Sequence, residues 1–81
     1  MAKTIEKLDV LTQLGMRIRY LRKQKGMSQL DLSLEADVNK NYISDLERGT
    51  RNPSLLILER VARALGVTLS TLFMGIQSLE D

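Results

Sequence analysis

The chain has 81 residues with neither cysteine nor histidine, and its 12 basic and 10 acidic side chains give a formal charge of +2. This composition excludes a disulfide framework, argues against a zinc site, and leaves one small domain whose limited core favours association with a second subunit. No apolar run is long enough to cross a membrane and no signal peptide is visible, so we expect a cytoplasmic protein with no membrane partner.

Helical periodicity dominates the chain. Apolar residues recur every three or four positions and strand-like alternation is lacking, which predicts an all-α fold of five helices. The first helix ends at Gln24, before Gly26, and Gly15 inside it should weaken it by about 1 kcal/mol. Its apolar stripe consists of Leu11, Leu14, Ile18 and Leu21. Its start is open, because residues 1–10 can form either an N-terminal arm or a helix extension.

The second predicted helix is short and ends in a sharp turn. Ser28 is a favourable N-cap, and Asp31 lies where it can complete a capping box. The helix ends near Ala36. Asp37 then occupies the turn, since aspartate tolerates left-handed backbone angles better than most other residues.

The third predicted helix has a narrow apolar side and a broad polar side. It begins after the N-cap Asn39 and ends at Arg48, and only Ile43 and Leu46 are strongly apolar in its middle. Its outward positions are Lys40, Asn41, Tyr42, Ser44, Asp45 and Arg48. We therefore expect this helix to rest on the core along one side and to expose a polar ridge on the other.

The fourth and fifth helices complete the domain. The fourth extends from its N-cap Ser54 to Leu65, and Thr68 caps the fifth. The predicted buried stripe of the fourth helix is Leu55, Leu58, Val61, Ala62 and Leu65. The fifth shows Leu69, Leu72, Phe73 and Ile76. We place the helical domain at residues 11–76 and a short tail at 77–81.

The second and third helices together meet the physical requirements of a helix-turn-helix. Ser28 and Gln29 offer a hydroxyl, an amide and helix N-terminal N–H groups to a phosphate oxygen. Ser33 and Ala36 are small enough for the two helices to cross closely. The third helix supplies the polar side that a DNA groove requires.

Charge is distributed unevenly along the chain. Residues 15–25 carry five bases and no acid, whereas residues 66–81 carry two acids and no base. This pattern favours a polyanion partner on one side of the fold. A solvated helix face is the alternative interpretation.

Six short segments form a larger pattern. They are Leu14-Gly15-x-Arg17-Ile18-Arg19-x-Leu21-Arg22, Gly26-Met27-Ser28-Gln29-x-x-Leu32, Ala36-x-Val38, Ile43-Ser44-x-Leu46-Glu47-Arg48-Gly49, Pro53-Ser54-Leu55 and Ala62-x-Ala64-Leu65-Gly66-Val67. In this order and at these spacings they resemble the lambda-repressor-like, Cro/C1-type (XRE-type) helix-turn-helix domain. The resemblance covers about residues 14–73 and implies a five-helix DNA-binding fold with the helix-turn-helix at helices 2 and 3. The sequence departs from the family at Ser33, where alanine is usual, and at Asp37, where glycine is usual.

The resemblance also implies roles for individual residues. The positions that face the major groove in the family are occupied here by Lys40, Asn41, Tyr42, Ser44 and Asp45. The positions that anchor phosphates in the family are occupied here by Gln29, Arg48, Arg51, Asn52 and Ser54. Ser28, next to Gln29, is a further candidate for a phosphate contact. Arg22 and Glu47 match a buried or half-buried salt bridge.

Alternatives remain open for three of these residues. Asp45 can accept a hydrogen bond from cytosine N4 or pair with a nearby base of the protein. Arg51 and Asn52 can contact DNA or simply form the turn before the fourth helix.

A homodimer is expected because one recognition helix contacts only a few base pairs. Two helices about 34 Å apart can bind a pseudo-palindromic operator in double-stranded DNA. The candidate interface residues are Leu69, Leu72, Phe73, Ile76 and Leu79, with Leu55 or Leu56 and the N-terminal Ile5, Leu8 and Val10 as further candidates. Leu69, Leu72 and Phe73 could instead belong to the monomer core.

An enzyme is not expected, because the usual nucleophile–base pairs and a glycine-rich phosphate loop are missing. We predict no catalytic residues, no metal, no cofactor and no small-molecule ligand. A protein-interaction module that has lost DNA binding is the competing hypothesis. The stretch 47–52 resembles controller proteins of restriction–modification systems, although phage-type repressors and antitoxins look similar. The operator, the regulated genes and the direction of regulation are not visible in the sequence.

Overall fold

The computed structural model describes residues 9–77, and this part of the chain forms five α-helices without strands. They are α1 (Val10–Gln24), α2 (Gln29–Ala36), α3 (Lys40–Arg48), α4 (Leu55–Leu65) and α5 (Leu69–Leu72). The all-α, five-helix prediction is therefore confirmed. The predicted arm falls mostly on residues 1–8, which lie outside the described range, as do Ile5, Leu8 and Leu79.

Every described helix begins at a side chain that accepts a hydrogen bond from the backbone of the first turn. The five N-caps are Asp9, Ser28, Asn39, Ser54 and Thr68. The capping box predicted at α2 is present: the Asp31 N–H donates to Ser28 Oγ, and the Ser28 N–H donates to the Asp31 carboxylate, both at 2.9 Å. These local bonds satisfy donors that a helix leaves unpaired at its start.

The core lies where α1, α2, α3 and α4 meet, and α5 closes one end. Ile18, Leu32, Ile43, Val61 and Leu72 are fully buried there. Leu72 has no exposed surface, so its assignment to a dimer interface is wrong, and it is a core residue of the monomer.

The predicted stripe of α4 is right except at its first residue. Leu55 is 62% exposed, because it lies in the first turn of α4 before the helix reaches the core. Its neighbour Leu56 is 72% exposed. The first buried residue of α4 is Leu58.

Gly15 explains how α1 and α3 come so close. A Cβ atom at this position would lie 2.4 Å from the Leu46 carbonyl oxygen and 2.6 Å from that of Glu47. Only a residue without a side chain permits this approach. The predicted weakening of α1 by Gly15 thus accompanies a close crossing that fixes the position of α3.

The turn between α2 and α3 is held from outside the helix-turn-helix. Asp37 adopts the predicted left-handed conformation, with φ 58° and ψ 51°. The Arg60 side chain, on α4, donates from Nε to the Ala36 carbonyl oxygen at 3.1 Å and from Nη2 to the Asp37 carbonyl oxygen. Since α4 ties down the end of α2, the angle between α2 and α3 is set by the whole domain.

Candidate nucleic-acid interface

The third helix presents the polar ridge that the sequence predicts. Ile43 and Leu46 point into the core with 0% and 1% exposure, while Lys40 and Asn41 are exposed at the N-terminal end. Asn39 caps the helix by accepting from the Asn41 N–H at 2.7 Å. The Asn41 amide and the Lys40 ammonium therefore stand at the end of α3 that enters a major groove in helix-turn-helix proteins.

A cluster of polar side chains covers the other end of this ridge. We call it the Asp45 cluster, and it consists of Tyr42, Ser44, Asp45, Arg48 and Arg51. The Asp45 carboxylate accepts from Arg48 Nη2 through one oxygen and from Arg51 Nη2, at 3.2 Å, through the other. Arg48 Nη1 also donates to Ser44 Oγ at 2.7 Å.

Arg51 links the loop after α3 to the helix itself. Its guanidinium carbon lies 4.5 Å from the centre of the Tyr42 ring, a distance typical of a cation–π contact. Tyr42 is half-buried and also packs against the core. The ring is therefore held between core residues and a cation, which limits the orientations it can take.

Of the two roles open for Asp45, the structure shows pairing within the protein. Two features were not predicted: this carboxylate binds two arginines at once, and Arg51 covers Tyr42. The i, i+3 spacings of Tyr42, Asp45 and Arg48 place these side chains on one helix face, which was a usable signal. No comparable spacing in the sequence indicates that Arg51, which lies in a loop, contacts Asp45 and Tyr42.

The predicted phosphate anchors lie at two helix starts and in one loop. Ser28 Oγ and Ser54 Oγ each accept a capping bond, so their hydroxyl protons are the groups that can be offered to a phosphate oxygen. Asn52 is exposed in the loop before α4. The Gln29 side chain donates one amide proton to Glu47 Oε1 at 3.0 Å, and its backbone N–H at the start of α2 can also be offered to a phosphate oxygen.

The predicted pair Arg22–Glu47 is a buried salt bridge. Arg22 donates from Nε to Glu47 Oε2 at 2.6 Å and from Nη2 to Oε1 at 3.0 Å, and the two side chains are 8% and 2% exposed. Arg22 Nη1 also binds the Met27 carbonyl oxygen at 2.8 Å. The hydrogen bonds from Arg22 to the Glu47 carboxylate raise the pKa of the guanidinium above its ordinary value. The bridge ties α1 and the start of α2 to α3.

The basic block at residues 15–25 contributes less surface charge than the sequence suggests. Arg22 is buried in the bridge, and Arg17 donates from Nε and Nη2 to the Thr71 carbonyl oxygen at 3.2 and 2.9 Å. Both arginines therefore hold helices together. Arg19, Lys23 and Lys25 remain exposed.

Interface candidates remain exposed at three places: Val10 at the start of α1, Leu55 and Leu56 at the start of α4, and residues around α5. Phe73 is 37% exposed, and Leu69 and Ile76 are half-buried against the core. Met74, which was not among the predicted interface residues, is 60% exposed beside them. Within residues 9–77, no helix is long and apolar enough to span a bilayer.

Comparison with known proteins identifies similar helix-turn-helix proteins. Residues 18–72 match the model of a helix-turn-helix family. The chain is 39% identical over 70 residues to the control protein C.MunI of a Mycoplasma species, covering 85% of this chain and 95% of that protein.

Two solved structures are also similar. The restriction-modification controller protein C.AhdI of Aeromonas hydrophila superposes with a TM-score of 0.77 at 38% identity, over 78% of this chain and 96% of that one. The restriction-modification controller protein C.Esp1396I, solved as a tetramer with its 35-base-pair operator, gives 0.74 at 33% identity, over 79% and 84% of the respective chains.

Proposed function

Because the chain belongs to the Cro/C1-type helix-turn-helix family, we propose that it regulates transcription by binding double-stranded operator DNA as a homodimer. One observation carries this proposal: α3 is anchored on the core by Ile43 and Leu46 and exposes a continuous polar ridge. Similarity to controller proteins, one of them solved on its operator, supports the same function.

In the proposed mechanism, α3 lies in the major groove and the two helix starts hold the backbone. Lys40 and Asn41 donate to base edges, where lysine suits guanine and asparagine suits adenine. Hydroxyls of Ser28 and Ser54 and the backbone N–H of Gln29 bind phosphates and fix the register of α3. The Asn52 amide and the arginines of the Asp45 cluster are proposed to bind the flanking phosphates.

The proposed regulator is of the controller or repressor type, and it acts without catalysis or a bound cofactor. It is proposed to work in the cytoplasm, through its own concentration and its dimerisation. Each subunit contributes one recognition helix, so a two-fold operator with half-sites about one helical turn apart is expected.

Selection from a random pool of DNA duplexes tests this function. We expect enrichment of a two-fold symmetric sequence, and an affinity for it whose logarithm falls linearly with the logarithm of salt concentration. Failure to enrich any sequence, together with no binding in dilute buffer, would favour the competing hypothesis of a protein-interaction module.

A further inference from the structure

Asp45 stands where a DNA-binding surface would be expected to avoid negative charge. Its side chain is 27% exposed, on the same ridge as Lys40 and Asn41. Its two oxygens each accept from an arginine, Arg48 and Arg51, that is proposed to bind phosphate. The carboxylate is thus paired with both cations in the protein without DNA.

Two physical effects follow from this arrangement. First, the negative charge of Asp45 offsets part of the attraction that Arg48 and Arg51 exert on any phosphate backbone, whatever its sequence. Second, the carboxylate holds the Arg51 guanidinium over the Tyr42 ring, 4.5 Å from its centre. A fixed guanidinium binds phosphates in one register, whereas a free one adapts to many.

We propose that Asp45 is a specificity-determining residue, which restrains Arg48 and Arg51 so that the protein discriminates its operator from unrelated DNA. The proposal rests on the DNA-binding function proposed above. It differs from a direct contact of Asp45 with cytosine, since the carboxylate acts through its arginines and favours DNA whose phosphates match their fixed positions. Discrimination by weakened binding to wrong partners is a general route to specificity.

The substitution Asp45→Asn tests the proposal, because it removes the charge and keeps the size. Binding to the selected operator and to an unrelated duplex is measured over a range of salt concentrations. We expect the variant to bind unrelated DNA more tightly, with a steeper salt dependence, and its affinity for the operator to change less. One further phosphate contact adds about 0.9 to the slope of log affinity against log salt concentration. Lowering the salt from about 1 M to about 0.15 M should therefore raise the affinity of the variant for unrelated DNA roughly fivefold more than that of the wild type.

Glu59→Gln is the matched control. Glu59 pairs with Arg63 at 3.5 Å on α4, and both side chains are exposed. The substitution therefore removes the same charge from an exposed arginine–carboxylate pair on another helix. It should leave the ratio of operator affinity to non-specific affinity unchanged.

A second readout needs no DNA. In the free protein, NMR of the arginine side chains and tyrosine rings should show the Arg51 and Tyr42 signals shifting in Asp45→Asn but not in Glu59→Gln, because the ring current acts on a stacked guanidinium. Unchanged signals in Asp45→Asn would overturn the restraint on Arg51.

The outcomes separate this inference from the proposed function. If the wild type selects an operator and Asp45→Asn keeps the same affinity ratio, the inference is wrong and the function stands. If Asp45→Asn loses preference at a single base pair only, Asp45 contacts that base directly and the inference is again wrong. If the wild type binds no DNA, the proposed function fails and the inference fails with it.

Discussion

At the scale of single residues, a few contacts between helices fix where α3 lies. The carboxylate of Glu47, on α3, is buried and is neutralised by Arg22 of α1. Gly15 lets the backbone of α1 touch the carbonyl groups of the last turn of α3. Both contacts act on the end of α3 that is distant from Lys40 and Asn41, so they set the direction in which the polar ridge points.

Removal of the Glu47 carboxylate should be strongly destabilising. In Glu47→Ala, Arg22 stays buried without its partner, and we expect the free energy of unfolding in urea to fall by about 3–5 kcal/mol. The double substitution Arg22→Met with Glu47→Leu should recover part of that loss, since an apolar pair carries no desolvation cost. A loss below about 1 kcal/mol in Glu47→Ala would mean that the bridge behaves like a solvent-exposed pair.

Gly15→Ala should lower stability although alanine is the better helix former. Helix propensity alone favours alanine by about 1 kcal/mol. The new Cβ would meet the Leu46 carbonyl oxygen at 2.4 Å, and overpacking of this kind costs about 1–3 kcal/mol or more. Thermal unfolding measures the net effect, with the exposed neighbour substitution Met16→Ala as control. A higher melting temperature for Gly15→Ala would contradict the close crossing of α1 and α3.

At the scale of helices, the ends of the elements follow from local chemistry. The capping box at the start of α2 lowers the pKa of Asp31 below its ordinary value of 3.8, because the Ser28 N–H donates to the ionised carboxylate. A carboxyl group whose pKa is lowered on folding stabilises the folded state above its unfolded pKa. That contribution is lost as the pH falls through the folded pKa.

The predicted consequence is a pH-dependent effect of Asp31→Asn. At neutral pH the variant should melt at a lower temperature than the wild type, because the amide loses the charge that favours the N-terminus of α2. The gap should close as the pH falls from 3.8 through the lower pKa of the folded state, where wild-type Asp31 becomes protonated. Glu35→Gln, which lies in the same helix but outside the box, provides the control. An equal gap at neutral and acidic pH would show that the charge of Asp31 contributes nothing.

Features that depend on neighbouring residues were predictable from the sequence, and features that depend on the packing of the whole domain were not. The caps Ser28, Asn39 and Ser54 and the left-handed turn at Asp37 were predictable, since each depends on residues within one turn. The exposure of Leu55 was not, because helical spacing shows which face is apolar and not where the core ends. The ridge on α3 was predictable from periodicity. The restraint of its arginines by Asp45 was not, because the position of the Arg51 loop depends on the packing of the whole domain.

At the scale of the whole molecule, the proposed function requires two subunits. The monomer leaves Phe73 and Met74 exposed beside α5, with Leu69 and Ile76 half-buried next to them. We propose this surface as the subunit interface, because aromatic and methionine side chains are enriched at such interfaces. The former candidate Leu72 cannot take part, because it is fully buried in its own subunit.

Phe73→Asp should weaken dimerisation and, through it, operator binding. The aspartate would place a charge in an apolar contact, so sedimentation should show a larger share of monomer at a given concentration. Leu34→Asp is the matched control, because Leu34 is 71% exposed on α2 and lies away from α5. A thermal melt verifies that each variant still folds. If Phe73→Asp dimerises like the wild type, the interface lies elsewhere.

The substitution Asn41→Ala decides whether the ridge on α3 contacts bases. Binding of the wild type and the variant is measured on the selected operator and on all its single base-pair substitutions, at one salt concentration. We expect the variant to lose about 1–3 kcal/mol of discrimination at one position of each half-site and to keep its preferences elsewhere. An equal loss of affinity on every sequence would contradict this expectation, because Asn41 would then contact only the DNA backbone.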